Sequence, residues 1–357
     1  MDLPKDLVVN LPKTDLHVHL DGSLRPATLL ELAAADGTEL PFSTVEEVEK
    51  YMADNACLDL PTYLKAFDLT LSVMQTEHAL RRVAFELAED AARENVWYME
   101  VRFSPILHEK KGLDWQRIVQ AVLDGLREAE DRFVIRTGII LCGIRTMTPE
   151  MSLKLAETAV SFKDQGVVGF DLAGAEKDNP AKDHKQAFYC IRNNNICGTV
   201  HAGEGFGPPS THQALHYCGA HRIGHGTQLW KDPDMMDYVN DHRIPLEMCL
   251  SSNVQIGITD SVIEHPFRRY FDYGLRVTLN TDNRLISNTT MTDELIMACS
   301  SFQLDVYDLR KILINGFKSA FLPYQEKVTL LRGGIDAMDR LFEEYYSGSY
   351  RRLRSFL

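Results

Sequence analysis

The chain has no cysteine pair at C-x-x-C spacing, and its seven cysteines are scattered and odd in number. A disulfide framework and a cysteine-ligated zinc site are both unsupported, and a reducing cytoplasm is the compartment this pattern fits. No run of 18 apolar residues occurs, and the first residues lack a basic stretch leading into an apolar one, so neither a membrane span nor a secretion signal is expected. Basic charge is in deficit: 38 Lys and Arg stand against 51 Asp and Glu, a formal charge of -13. A nucleic acid backbone would be repelled by that field, which excludes it as an expected partner. Linkers rich in Pro, Gly or Ser are absent, as are internal repeats and low-complexity tracts. The basic end Arg351-Arg352-Leu353-Arg354 reads as a solvated tail.

What is present is ordinary globular composition, 45% hydrophobic and 25% charged over 357 residues, enough for two or three average domains or one large barrel with insertions. Short β-rich runs alternate with helical patterns. The runs are Thr14 to His19, Val96 to Phe103, Val134 to Leu141, Val167 to Asp171, Thr199 to His201, Arg222 to Gly224, Ile244 to Met248, and Arg276 to Asn280. Several are continuously apolar, as parallel strands covered on both faces should be. Between them, Glu77 to Glu94 carries Leu80, Val83, Ala84, Leu87, Ala88 and Ala91 on one helical face. The expected fold is therefore α/β, a (β/α)8 TIM barrel occupying residues 1–357 as one domain. The long connection after the first strand should hold extra helices.

The chemistry-bearing residues stand at the ends of these runs. His17 and His19 are two apart and share one face of a strand. His201 and Glu204 flank Gly203 after the fifth run, His225 lies between Gly224 and Gly226 after the sixth, and Asp282 follows the eighth. Taken singly, each has a structural reading. In a barrel, however, all strand C-termini open on one face, so His17, His19, His201, His225 and Asp282 should converge. Three imidazoles and a carboxylate suit Zn²⁺ better than Mg²⁺ or Ca²⁺, with Fe²⁺, Co²⁺ and Mn²⁺ left open.

The ordered set His17-Val18-His19-Leu20-Asp21-Gly22-Ser23, Asp171-Leu172-Ala173-Gly174, His201-Ala202-Gly203-Glu204, Arg222-Ile223-Gly224-His225-Gly226, Ser251-Ser252-Asn253 and Asn280-Thr281-Asp282 closely resembles the adenosine deaminase family over Leu11 to Pro323. The resemblance implies one Zn²⁺ per chain, bound by His17, His19, His201 and Asp282, with a water completing the set. It implies that His225 orients this water and can take its proton, and that Glu204 protonates purine N1. It further implies substrate contacts from His19, from Asp21 to the ribose 5′-hydroxyl, from the Gly174 N–H to purine N3, and from Asn283 to N7. By residue type alone, Gly174 would be a turn residue and Asp21 a cap. Leu60, Tyr63, Leu64 and Phe67 align with the family's apolar lid, although their helical spacing also fits a core face.

Two positions depart from the family pattern. Asn283 stands where the commonest form has a second Asp, and its amide donates at any pH. Leu250 stands where many bacterial relatives carry Pro. The implied activity is hydrolytic deamination of adenosine and 2′-deoxyadenosine, a small-molecule purine nucleoside being the partner. Alternatives are a deaminase of adenine or aminofutalosine, a two-metal barrel hydrolase, for which the fourth run lacks the required Lys, and a non-catalytic binding protein.

Overall fold

The apolar face read between Glu77 and Glu94 is buried in a helix, Glu77–Arg93, whose first turn is capped by the Thr76 hydroxyl accepting from the Ala79 N–H. The computed structural model describes residues 3–55, 60–346 and 350, with the side chains of 55 and 60–65 excepted. Cys57, the side chains of Leu60, Tyr63 and Leu64, and the Arg351–Arg354 segment lie outside what is described.

Eight parallel strands pair in chain order. They are β1 (Lys13–His19), β2 (Val96–Phe103), β3 (Arg136–Ile144), β4 (Val167–Ala173), β5 (Cys197–Ala202), β6 (Arg222–His225), β7 (Leu246–Met248) and β8 (Val277–Leu279). Closure between β8 and β1 is carried by residues just beyond the last strand. The Asp282 N–H donates to the His17 carbonyl at 2.8 Å, and the His19 N–H donates to the Asp282 carbonyl at 2.7 Å. The Asn280 side chain adds an acceptor for the Leu16 N–H at 3.0 Å. The fold is a (β/α)8 barrel, and the helices Pro26–Asp36, Val45–Asn55, Leu60–Val73 and Glu77–Arg93 fill the long connection after β1.

Two strands start two residues later than their apolar runs, for identifiable reasons. β3 starts at Arg136 rather than Val134 because Val134 sits in the connection after the helix Trp115–Arg132, 86% exposed. β7 starts at Leu246 rather than Ile244 because Pro245 has no N–H for the ladder, although its carbonyl still accepts from Ile223.

The barrel interior below the strand ends is ionic rather than aliphatic. Arg102 and Arg222 are buried there with Glu100, Asp171 and Glu247. Glu247 accepts from Arg102 Nη2 at 3.0 Å and Arg222 Nε at 2.5 Å, while Arg102 also reaches Asp171 at 2.8 Å and Arg222 also pairs with Glu100. The Arg222 guanidinium lies over the Phe321 ring, 3.4 Å from its centroid. A network with every member paired avoids the large cost of an isolated buried charge and supplies rigid carboxylates to the layer above.

Candidate active site

β1, β5 and the turn after β8 bring His17, His19, His201 and Asp282 together, with one ligand-capable atom from each within 4.8 Å of the others. His19 Nε2 is 3.2 Å from His201 Nε2, and Asp282 Oδ1 is 3.3 Å from His19 Nε2 and 3.4 Å from His17 Nε2. With zinc–ligand bonds of 2.0–2.1 Å, a tetrahedron has edges of about 3.3 to 3.4 Å, so these spacings fit a single ion.

The tautomers agree with that fit. His17 Nδ1 lies 2.9 Å from Glu247 Oε2 and donates to it, and His201 Nδ1 donates to Asp171 at 3.0 Å. Each ring thereby turns a lone pair on Nε2 toward the shared centre, and His17 Nε2 finds no hydrogen-bond partner there despite complete burial. Burial opposes ionisation of Glu247, yet the two guanidiniums and the His17 hydrogen bond hold its carboxyl well below the usual range. The Ser252 hydroxyl donates to Asp282 Oδ2 at 2.5 Å, leaving Oδ1 for the centre.

Local backbone explains why these residue types sit here. His225 and Asp282, with φ of 62° and 59°, adopt the left-handed conformation at their strand ends, a disfavoured state that turns both side chains where an extended strand could not. Gly224 serves packing: a Cβ there would stand 3.1 Å from His201 Cα and 3.2 Å from the His17 ring. Gly22 gives room to Asn283, whose Oδ1 would lie 1.9 Å from an added Cβ.

A cavity of about 310 Å³ opens above the histidines, lined by His19, Asp21, Gly174, Glu204, Asn283 and the apolar Phe67, Leu71 and Leu107, among others. Every sequence-predicted site residue except His17 lines it, and His17 lies beneath as a ligand candidate. The Glu204 carboxyl is pushed well above the usual range by burial, reinforced by the charges of Asp282 and Glu176. Burial likewise raises Asp21 to about 7 and holds His225 well below the ordinary imidazole value. A larger groove of about 510 Å³ lies beside Arg25 and Arg284, but those cations are engaged by Glu89, Asp90 and Glu94.

Three further contributors were given no role in the sequence: Glu176 and Glu294, which lie in no motif, and Asn253, which ends the Ser251-Ser252-Asn253 motif. Glu176 accepts the backbone N–H groups of Gly203, Glu204 and Gly205 at 2.9, 2.9 and 2.8 Å, clamping the loop that presents Glu204. Glu294 accepts from the Leu250 N–H at 3.1 Å, a bond that a proline at 250 would forfeit. The Asn253 amide donates to Glu204 Oε1 at 2.9 Å.

The described helices include none long and apolar enough to cross a membrane. The Adenosine deaminase family model matches residues 12–337. An adenosine deaminase of Mycobacterium sp. (strain JLS) is 44% identical over 336 residues, covering 90% of this chain and 93% of that protein. A "Probable adenosine deaminase" of Dictyostelium discoideum is 39% identical over 343 residues. That match takes in 96% of this chain but only 44% of the length of the relative. Among solved structures, an N6-mAMP deaminase from Arabidopsis superposes with a TM-score of 0.83 at 28% identity, over 93% of this chain and 99% of that one. With the model match running almost the full length of the barrel and through every strand end described above, the chain belongs to the adenosine deaminase family of hydrolases.

Proposed function

We propose that the protein hydrolyses adenosine and 2′-deoxyadenosine to the corresponding inosine and ammonia, using one zinc ion held by His17, His19, His201 and Asp282. The observation that carries this reading is a buried carboxyl, raised well above the usual range, beside a cation-type donor set, both facing one cavity of nucleoside dimensions. When bound there, zinc lowers the pKa of a coordinated water to about 7, so that hydroxide is available near neutral pH.

The chain's own residues then divide the work. Glu204 delivers its proton to purine N1, which removes aromatic stabilisation from the ring and makes C6 electrophilic. His225, neutral and buried next to the donor set, orients the attacking water. As the C6–oxygen bond forms and the C6–nitrogen bond breaks, the attacking water gives up both its protons: one returns to the Glu204 carboxylate and the other goes to the departing amine, which leaves as ammonia. The Asn283 amide donates to N7, the Gly174 N–H to N3, and Asp21 receives the 5′-hydroxyl.

Charge favours a nucleoside over a nucleotide. Among the described residues, the cavity lining contains no Lys or Arg, while Asp21 and Asp68 both face it. A 5′-phosphate would meet those carboxyls, with no counter-charge among the described lining residues. Free adenine would leave the end of the cavity around Asp21 unfilled. Steady-state assays on adenosine, 2′-deoxyadenosine, AMP, N6-methyl-AMP and adenine test this. Turnover of the two nucleosides well above the others is expected, and efficient turnover of a monophosphate or of adenine with little of adenosine would overturn it.

A further inference from the structure

Behind the cavity lies a pair of buried polar side chains, Asn253 and His265, neither of which lines it. The orientation of a buried amide is ordinarily ambiguous, since its oxygen and nitrogen are nearly the same size. Here a backbone group resolves it. The Phe267 N–H, in the first turn of the helix Phe267–Tyr273, points at His265 Nδ1 from 3.2 Å. A backbone amide only donates, so Nδ1 holds a lone pair. Burial pushes the ring's pKa down to about 3, and the neutral imidazole therefore keeps its single proton on Nε2.

From that point the chain of donors has one direction. His265 Nε2–H lies 3.2 Å from Asn253 Oδ1 and donates to it. The Asn253 NH₂ consequently faces the other way, where it meets Glu204 Oε1 at 2.9 Å and His225 Nδ1 at 3.1 Å, two protons for two acceptors. Because Glu204 Oε1 is already accepting, the acid proton belongs on Oε2. Because His225 Nδ1 accepts from the amide, its lone pair lies there and the ring's proton belongs on Nε2.

We propose that His265 is a positioning residue: by fixing the Asn253 amide, it determines which oxygen of Glu204 carries the catalytic proton and which nitrogen of His225 carries its own. Its catalytic meaning rests on the deamination reading above, whereas the hydrogen-bond order does not. The arrangement assigns His225 the orienting half of the role implied by its motif, since a ring protonated on Nε2 has no lone pair there to receive a proton. Without a donor at position 265 the amide is free to invert. It would then offer its oxygen to Glu204, drawing the acid proton to Oε1, and would ask His225 to donate from Nδ1.

The test joins a spectrum to a rescue. Long-range ¹⁵N–¹H correlation on the zinc-loaded full chain, with ring-labelled histidine, reads the tautomer of each neutral ring, and His265 is assigned by the signal missing from His265→Leu. The expected result is His265 protonated on Nε2 alone at neutral pH, with the same pattern after the metal is removed. Protonation on Nδ1, or on both nitrogens, would overturn the proposal; the signal missing from His265→Gln gives the same assignment, so a Leu variant that fails to fold does not shield it. In kinetics, His265→Leu is expected to lower kcat about 10- to 100-fold with KM and zinc content near wild type. His265→Gln, whose amide can donate to Asn253, should recover most of that loss. Equal activity in the two variants, whether both high or both low, would also overturn it. Failure of the protein to deaminate any adenine compound would refute the proposed function while leaving the tautomer measurement decisive for the hydrogen-bond order.

Discussion

Replacing Glu247 with Gln perturbs the layer beneath the metal site without changing its shape. The wild-type carboxylate receives four donors: His17 Nδ1 at 2.9 Å and Arg102 Nη2 at 3.0 Å on Oε2, Thr199 Oγ1 at 3.0 Å and Arg222 Nε at 2.5 Å on Oε1. A Gln amide accepts only on its oxygen, so either rotamer turns an NH₂ against two donors. Breaking a buried ion pair by removing one partner costs about 3 to 5 kcal/mol. Arg102 keeps Asp171 and the Leu16 carbonyl, and Arg222 keeps Glu100 and the Ser319 carbonyl, so the lower part of that range, about 3 kcal/mol, is expected. His17 loses the carboxylate that sets its tautomer, and metal affinity should fall about 10- to 100-fold. Urea unfolding of the metal-free protein and competition with a chelator measure the two effects separately. A variant with wild-type stability and wild-type zinc affinity would refute both the role of the network and the assignment of His17 as a ligand.

Other positions give equally direct outcomes. Glu204→Gln should keep its metal and lose turnover by orders of magnitude, and turnover near wild type would remove Glu204 as the acid. In the wild type, burial raises the Glu204 carboxyl, so the protonated form persists to higher pH than in an exposed carboxyl, and kcat/KM should decline as pH rises through that elevated value. An acidic-side loss of activity attributable to Glu204, instead of a basic-side one, would contradict this sign. Glu176→Ala releases three backbone N–H groups and should lower kcat by at least about tenfold while zinc content, read by metal analysis, stays constant. Leu250→Pro is compatible with the first turn of its helix but deprives buried Glu294 of a donor. A loss of about 1 to 3 kcal/mol in chemical denaturation is expected, and no loss would show that bond to be unimportant.

The barrel and the convergence of its strand-end histidines with Asp282 were readable because both are written in local pattern. Apolar runs of strand length ended at His17-Val18-His19, His201, His225 and Asp282, and the shared polarity of the strands forced those ends to one face. Boundaries slipped where the run of apolar residues outlasted the ladder: Val134 is apolar but solvent-exposed, and Pro245 sits in an extended run it cannot fully pair. Glu176, Glu294, Arg102, Glu247 and His265 were not readable in the same way. A carboxylate in a loop has many solvated counterparts in this chain, and the value of Glu176 arises only when the Gly203–Gly205 backbone folds over it. His265 precedes a proline in a stretch with no periodicity, and its meaning depends on Asn253 arriving from another element. Gly224 stands beside His225 in the motif, but what it provides, space for His17 and His201, emerges only from packing.

On the proposed reading, three imidazoles and a carboxylate from distant segments hold one cation whose removal stops deamination. The ultraviolet change on mixing the purified protein with adenosine, repeated after chelation and again after adding back one equivalent of zinc, tests it most directly. Conversion to inosine, its disappearance in the metal-free protein and its return at one ion per chain are the expected results. Undiminished conversion by protein shown to be metal-free, or a requirement for two ions, would contradict the claim.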